Sequence, residues 1–278
     1  DIVVFSDANN MYAPDTIREM IKPFADPEVG ATSGAKTIIK GDGALGDSEG
    51  LYWKYESYIK KQETLTGSIT GVVGELFAIR RDLFASPPDK IINDDFYMAM
   101  QLIHHNYRVV YVPTARSSER VSLSAEDEVN RRSRIVAGRY QALNLLPFKR
   151  PLVVWQIVSH KLLRPLVPLA MIGAFVANVL ALLLPSNSAQ DHPVLRLGRP
   201  FAALFLALQV TFYALAWLGN QLSLEGKLGK LLYLPTFLVN SNRAALIGLY
   251  RMVTKRQSTL WQRAQRREES TATEDEPT

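Results

Sequence analysis

Two long uncharged segments limit the possible folds of this chain more than any other feature. Residues 166–184 and 201–218 contain no Asp, Glu, Lys or Arg. Each is close to the roughly 20 residues that an α-helix needs to cross a bilayer. One such segment alone is also compatible with the core helix of a soluble protein, but two in succession favour membrane spans. We therefore predict a multi-pass protein of the cell membrane.

Composition divides the chain into three parts. Residues 1–150 mix charges, glycines and aromatic residues, as soluble α/β domains do, whereas Leu, Ala, Val and Phe dominate residues 151–250. Residues 251–278 are first basic and then acidic. Within the middle part, the amphipathic residues 151–164 predict an interfacial helix. Residues 231–249 are interrupted by Asn240, Ser241, Asn242 and Arg243, and we predict a re-entrant or interfacial hairpin there.

Residue usage excludes several classes of site. The chain has no Cys and four His, so disulfides and thiolate metal sites are impossible, and a zinc site or a Ser/His/Asp triad has little support. A basic segment beside apolar helices favours an anionic membrane surface over nucleic acid. We expect membrane lipid and no nucleic acid among the partners.

An acidic turn follows the first apolar run of the chain. Residues 2–5 predict a buried strand of a parallel sheet, and Asp7 and Asn9 follow it. Ligands of open α/β sheets bind beyond the carboxyl ends of the strands, and hard oxygen ligands suit Mg²⁺ or Mn²⁺. A turn that caps the following helix is the alternative. Because the sequence begins inside this strand, we expect the first strands of the sheet to lie upstream.

A second acidic pair, Asp94 and Asp95, begins a predicted helix. Capping and favourable interaction with the helix dipole explain such a pair in most proteins. The functional interpretation is a general base: the dipole holds one carboxylate ionised while its neighbour raises its pKa, which tunes a proton acceptor for an alcohol. The sequence alone leaves both interpretations open.

Basic, aromatic and glycine residues supply three further candidate sites. A predicted helix beginning near Ser124 carries four arginines, Arg131, Arg132, Arg134 and Arg139. They form a solvated basic face, or Arg131 and Arg134, which lie on one face at i and i+3, form a clamp for a diphosphate. The tyrosines of the predicted helix 49–63 either pack in the core or stack on a sugar. Gly71 and Gly74 allow the backbone to approach a ligand or a neighbouring strand closely.

Taken in order, these motifs resemble the membrane-embedded family 2 glycosyltransferases, which include the cellulose, hyaluronan and poly-N-acetylglucosamine synthases. The pattern of that family is an acidic metal motif, a glycine-rich acceptor segment ending in Arg, an acidic general-base motif and a Gln-x-x-Arg-Trp motif, followed by membrane helices. The matching residues here are Asp7-Ala8-Asn9, Gly71 to Gly74 through Arg80-Arg81, Asp94-Asp95, and Arg131 to Ile135. The resemblance covers nearly the whole chain.

Three positions depart from that pattern. Asn9 replaces the second Asp of the metal motif, Arg131 replaces Gln, and Ile135 replaces Trp. The last change weakens the case for processive synthesis. The resemblance implies an α/β fold, namely the C-terminal part of a type A, Rossmann-like glycosyltransferase domain followed by transmembrane helices.

The resemblance also implies an activity. The protein would transfer a sugar from a nucleotide-sugar donor to a hydroxyl of a glycan or lipid acceptor, with inversion, at the cytoplasmic face of the membrane. Asp95 would be the base and Asp94 its support, Asp7 and Asn9 would hold Mg²⁺ or Mn²⁺, and the remaining substrate-binding residues would be Gly71, Gly74, Arg131, Arg132 and Arg134. The chain alone, without its upstream strands, is expected to be inactive. A non-catalytic membrane subunit for glycan docking or export is the alternative.

Overall fold

The computed structural model of the protein describes residues 1–8, 10–38, 43–119, 125–184, 199–222 and 226–256. Its strands are β1 (Ile2–Phe5), β2 (Met11–Tyr12), β3 (Val29–Ile38), β4 (Phe77–Arg80) and β5 (Arg108–Glu119). Its helices are α1 (Thr16–Ile21), α2 (Gly43–Thr66), α3 (Asp94–His104), α4 (Ala125–Arg139), α5 (Pro151–Ile157), α6 (Val167–Leu183), α7 (Arg199–Gln221) and α8 (Gly226–Val253).

The strands form one mixed five-stranded sheet in the order β1-β4-β3-β5-β2. Only β3 and β5 run parallel, whereas β1 and β3 are antiparallel to β4 and β2 is antiparallel to β5. The pairing of β3 with β5 shifts register between Gly34 and Ala35, opposite the residues that follow Val112. This irregularity lets β5 continue past Pro113.

The prediction that β1 is a buried strand in a parallel sheet is wrong. β1 pairs antiparallel with β4, with Ile2 opposite Arg80 and Phe5 opposite Phe77, and all four of its residues are half-buried. Among the described strands it has a neighbour on one side only. Its apolar residues alternate between the two faces of the sheet, because Val3 packs against one core cluster and Val4 against the other.

Helices cover both faces of the sheet. On one face, Phe96, Ala99 and Ile103 of α3 pack with Val153 of α5 against the strands. On the other face, Met20 of α1 packs against Ala78 and Val112. These two layers hold the carboxyl end of β1 and the start of α3 in fixed positions, where the two predicted acidic motifs lie.

The C-terminal part of the chain is helical. After α5, a π-helical turn (Val158–Leu162) and a 3₁₀ turn (Arg164–Leu166) lead into α6. Two helices, Pro151–Leu183 and Pro200–Gln221, are long and apolar enough to cross a membrane, with mean hydropathies of 2.4 and 1.9. Only 6% and 11% of their most apolar segments are buried inside the protein, so most of their apolar surface is left uncovered.

The third apolar stretch is one continuous helix, α8, so the predicted hairpin is wrong. Its polar residues have partners on neighbouring helices, which removes the reason for the chain to turn back. Asn240 donates from Nδ2 to Oδ1 of Asn220 on α7 over 2.9 Å. Nη1 of Arg132 on α4 lies 3.4 Å from the hydroxyl of Ser241. Helix α2 also begins earlier than the predicted residue 49, at Gly43.

Candidate active site

A cavity of about 320 Å³ lies where the sheet domain meets the C-terminal helices. Its walls come from α2, the segment before β4, the start of α3, α4, the turns after α5, and α8. The charged side chains among its lining residues are six basic and two acidic: Lys60, Arg131, Arg132, Arg139, Lys161, Arg164, Glu56 and Asp95. The cavity therefore has an excess of positive charge and favours anions.

Asp95 lies at the first turn of α3 and lines this cavity. Its Oδ1 accepts a hydrogen bond of 2.5 Å from the backbone N–H of Phe96. Burial, together with the charges of Asp94 and Glu75, raises the pKa of the Asp95 carboxyl to about 7, against the opposing effects of the Phe96 N–H and Lys60. A carboxyl group with this pKa exchanges a proton near neutral pH, as a general base must.

Asp94 and Gly74 hold Asp95 in place. Asp94 is exposed, and its Oδ1 accepts a hydrogen bond of 3.0 Å from the N–H of Asp95. A Cβ atom at Gly74 would lie 3.0 Å from Oδ2 of Asp95, so the glycine leaves the space that this carboxylate fills. Each acidic residue accepts a hydrogen bond from the amide of the next residue, while the N-cap residue Asn93 makes no side-chain capping hydrogen bond. Asp95 also faces a cavity, as a base requires.

The predicted arginines separate into two groups. Arg131 and Arg132 line the cavity with Asp95, and the guanidinium of Arg132 lies 4.8 Å from the ring centroid of Tyr52. Arg134 is not among the lining residues that the structure describes; its Nη2 lies 3.4 Å from the carbonyl oxygen of Ile92. Burial lowers the pKa of the Arg134 guanidinium, and an interaction with Asp94 opposes this effect in part. Of the two arginines of the predicted diphosphate clamp, Arg131 therefore lines the cavity, whereas Arg134 lies near Asp94 and is not among the described lining residues.

Gly71, in the glycine-rich segment before β4, packs against the turns after α5. A Cβ atom there would lie 2.9 Å from Nζ of Lys161. Gly71 and Val72 line the cavity. Arg80, which ends the matched glycine segment, instead binds the sheet: its guanidinium donates to the carbonyls of Val29, Phe24 and Asp26 over 2.7–3.0 Å.

An ion cluster at Glu56 joins α2 to the turns after α5. Glu56 is 4% exposed, and its carboxylate lies 3.5 Å from Nζ of Lys161 and 2.6 Å from Nη1 of Arg164. Burial would raise the pKa of Glu56, but Lys161 and Arg164 together hold it well below its usual range. Two turns further along α2, Glu63 accepts hydrogen bonds from the backbone N–H and the hydroxyl of Thr70 and pairs with His160 over 2.8 Å.

Lys60 and Trp53 lie between these groups. Lys60 is 4% exposed, and its ammonium lies 5.7 Å from the ring centroids of both Trp53 and Tyr111. Burial and the nearby Lys161 lower the pKa of Lys60 to about 8, although Glu56 and Asp95 oppose that effect. Lys60 is therefore still mostly protonated at pH 7.

The predicted metal motif lies at the carboxyl end of β1. Asp7 is exposed there, while Asn9 lies outside the described residues. The side-chain oxygen and nitrogen of the adjacent Asn10 are buried and have no hydrogen-bond partner among the described residues. No group of three His, Asp or Glu side chains suited to a metal occurs in the described part of the chain. One carboxylate and unused amide oxygen atoms fit a hard ion that takes most of its ligands from water and substrate phosphates.

The tyrosines of α2 do not act as one group. Tyr52 lines the cavity, whereas Tyr55 and Tyr58 are 56% and 65% exposed.

Sequence reasoning also missed residues of the cavity wall, namely Glu56, Lys60, Lys161 and Arg164. On α2, Glu56, Lys60 and Glu63 follow one another at intervals of four and three residues, which is the spacing of one helix face. That spacing was the available signal, but a stripe of charges normally indicates a solvated face.

Comparisons with known proteins identify the family and the fold. No curated protein matches the chain significantly. Among solved structures, the mannosyltransferase PcManGT from Pyrobaculum calidifontis, in complex with GDP-Man and Mn²⁺, matches with a TM-score of 0.58 and 19% identity. The match covers 92% of this chain and 63% of that one, so the chain spans less than two thirds of its relative. The mixed sheet with surrounding helices thus resembles a type A glycosyltransferase fold. A model of glycosyl transferase family group 2 matches residues 2–218, and the chain therefore belongs to that family.

Proposed function

We propose that this protein is an inverting, membrane-embedded glycosyltransferase that moves a sugar from a nucleotide diphosphate sugar to an acceptor hydroxyl. The observation that carries the proposal is Asp95, a carboxyl group with a pKa raised to about 7 in the wall of a cationic cavity. Membership of a glycosyltransferase family explains why a chain would keep a buried acid there. The reaction takes place where the sheet domain meets the apolar helices.

Asp95 is the proposed general base. As the acceptor oxygen forms its bond to the anomeric carbon, the bond from that carbon to the donor diphosphate breaks, and the hydroxyl proton passes to Asp95. Attack from the face opposite the leaving group inverts the anomeric centre. Asp94 supports the base through the hydrogen bond that it accepts from the Asp95 amide, and Gly71 and Gly74 border the acceptor path.

Arg131 and Arg132 are the proposed ligands of the leaving diphosphate, with Arg134 nearby. Guanidinium groups bind phosphate oxygens through two parallel hydrogen bonds, and this interaction strengthens as negative charge develops on the leaving group. Lys60 and the paired Lys161 and Arg164 add positive charge to the same cavity. Together these positive charges stabilise the leaving diphosphate as an anion, so that it departs without first accepting a proton.

Asp7, with Asn9, is the proposed holder of Mg²⁺ or Mn²⁺. When bound, such an ion neutralises charge on the leaving diphosphate. The exposed Asp7 carboxylate and the unpartnered amide of Asn10 fit this role. Residues 1–150 then form the catalytic part on the cytoplasmic side, residues 151–250 the interfacial and transmembrane helices, and residues 251–278 a charged tail.

A donor panel tests the proposal. The full-length protein in detergent or nanodiscs is incubated with several nucleotide sugars and Mg²⁺ or Mn²⁺, and release of the nucleoside diphosphate is measured. We expect metal-dependent release with at least one donor, and loss of it with a chelator. If none of the donors is bound or consumed, the protein is a non-catalytic membrane subunit.

Asp7→Ala tests the metal assignment. We expect this variant to lose metal-dependent donor binding, because the remaining amide oxygens carry no negative charge to hold the ion. Donor binding is measured by calorimetry with and without Mn²⁺. The matched control is Asp82→Ala, at an exposed carboxylate, which should bind as the wild type does. Undiminished, metal-responsive binding by Asp7→Ala would show that Asp7 is a turn residue only.

A further inference from the structure

A buried ion cluster lies at the edge of the sheet that also carries the predicted metal motif. β1, β3 and β5 run in one direction, so Asp7 after β1, Lys36 near the end of β3 and Glu119 at the end of β5 share this edge. β4 runs the opposite way and begins there, two residues after Glu75. Ligands of open α/β sheets bind beyond this edge.

Lys36 joins two carboxylates in this cluster. Its Nζ lies 2.8 Å from Oε1 of Glu75 and also pairs with Oε2 of Glu119. The side chains of Lys36, Glu75 and Glu119 are 5%, 13% and 5% exposed. Because moving one member of a buried ion pair leaves its partner without compensation, such pairs resist displacement. The carboxylate of Glu75 is therefore held in one position.

Main-chain contacts fix the segment around Glu75 as well. The hydroxyl of Tyr12 donates to the carbonyl of Glu75 over 2.7 Å and to that of Phe5 over 3.0 Å. The backbone N–H of Val73 donates to the hydroxyl of Ser33 over 2.9 Å. The turn that carries Glu75 is thus tied to β1, β2 and β3 together.

Asp95 packs against this turn. A Cβ atom at Gly74, the residue before Glu75, would lie 3.0 Å from Oδ2 and 3.3 Å from Cβ of Asp95. Asp95 lines the cavity, whereas Glu75 is not among the lining residues that the structure describes. Glu75 therefore approaches the base from the sheet, on the side away from the cavity, and acts on Asp95 rather than on a substrate.

The charge of Glu75 also acts on Asp95. Burial is the largest cause of the raised pKa of the Asp95 carboxyl, and the charges of Asp94 and Glu75 raise it as well. The Phe96 N–H and Lys60 oppose these effects. Asp94 is exposed, whereas protein encloses Glu75, so water screens the charge of Glu75 less. The other charged residues of the cavity wall lie on α2, α4 and the turns after α5: Glu56, Arg131, Arg132, Arg139, Lys161 and Arg164.

We propose that Glu75 is a positioning residue for the base: held by Lys36, it keeps the turn at Gly74 against the Asp95 carboxylate and places a like charge behind it. This inference rests on the proposed function, because it assigns Glu75 to the base of that reaction. A like charge nearby increases the affinity of a carboxylate for a proton. Asp95 then accepts the proton of the acceptor hydroxyl more readily than an isolated aspartate would.

The pH dependence of transfer tests the charge of Glu75. Nucleoside diphosphate release is measured as kcat/KM against pH for the full-length protein, with a donor that it consumes. Glu75→Gln keeps the size of the side chain and removes its charge, so we expect the acidic limb to move to lower pH by about half a pH unit or more. Glu75→Asp keeps the charge and should move the limb less. An unmoved limb in Glu75→Gln would overturn the proposal.

Glu119→Gln is the matched control, because it removes the other carboxylate that Lys36 binds. Both Gln variants disturb the same buried cluster, and both should lower the melting temperature. Only Glu75 adjoins the turn at Asp95, so Glu119→Gln should move the acidic limb less than half as far as Glu75→Gln does. Equal movement in the two variants would mean that the cluster is only structural, and the positioning role would be wrong.

A thermal unfolding cycle tests the same role without transfer. The folded protein holds a proton on Asp95 between the unfolded pKa of 3.8 and about 7, so the melting temperature of Asp95→Asn relative to its parent should rise from pH 4.5 to pH 7.5. In a Glu75→Gln parent the pKa of Asp95 is lower, the range is narrower, and this rise should be smaller. An equal rise in both parents overturns the proposal. A smaller rise in a protein that transfers no sugar contradicts only the proposed function.

Discussion

At the residue scale, the central feature is a single carboxyl group. Burial and the neighbouring Asp94 raise the pKa of Asp95 to about 7, so a base in this position is half-ionised near neutral pH. Transfer should fall as the pH decreases below about 7, because the protonated acid cannot accept the hydroxyl proton. Asp94→Asn removes a like charge and should move this acidic limb to lower pH. The dependence of kcat/KM on pH measures the position of this limb. If the limb lay at the same pH in Asp94→Asn as in the wild type, the electrostatic account would be contradicted.

The raised pKa of Asp95 also predicts how the free energy of unfolding changes with pH. Between the unfolded value of 3.8 and about 7, the folded protein holds a proton on Asp95 that the unfolded chain has released. The free energy of unfolding should therefore decrease as the pH rises through this range. Asp95→Asn lacks this contribution, so its melting temperature relative to that of the wild type should increase from pH 4.5 to pH 7.5. The reverse trend would show that Asp95 is stabilised in its ionised form.

At the element scale, α2 connects the sheet domain to the helices that follow residue 150. Glu56 binds Lys161 and Arg164, and Glu63 binds His160. Glu56→Gln leaves buried cations without their counter-ion, a change that costs about 3–5 kcal/mol when a buried pair loses one partner. We expect a markedly lower melting temperature in detergent, whereas Glu28→Gln, at an exposed carboxylate, should be neutral. A wild-type melting temperature for Glu56→Gln would mean that the cluster does not stabilise this contact.

Elements also show where sequence reasoning succeeds and fails. The helix at Asp94 and the arginine helix follow from helical periodicity and capping, which are local signals. The antiparallel pairing of β1 is not local, because Phe5 meets Phe77 and nothing within residues 2–5 encodes that partner. The polar residues of α8 suggested a break, but Asn240 and Ser241 find partners on α7 and α4. A tertiary contact thus overrides the local pattern.

At the scale of the whole molecule, the cavity gathers residues from Tyr52 to Ala245. The motifs for a base and for arginines were predictable, because family 2 glycosyltransferases place them at characteristic spacings. Lys60 and Glu56 were not, because a charged stripe on a helix normally faces solvent and the partners of Glu56, Lys161 and Arg164, lie more than 100 residues away in the C-terminal turns. The two long apolar helices were visible as uncharged segments, but the contribution of the C-terminal helices to the cavity wall appears only in three dimensions.

The central claim is that Asp95 deprotonates the acceptor in this cavity, and one measurement tests it most directly. Transfer and donor affinity are measured side by side for the full-length wild type, for Asp95→Asn and for the control Asp89→Asn, whose carboxylate is exposed. We predict that Asp95→Asn slows transfer by about 10²- to 10⁴-fold, the usual contribution of a general base, while donor affinity stays unchanged and Asp89→Asn behaves as the wild type. Wild-type transfer by Asp95→Asn would contradict the account.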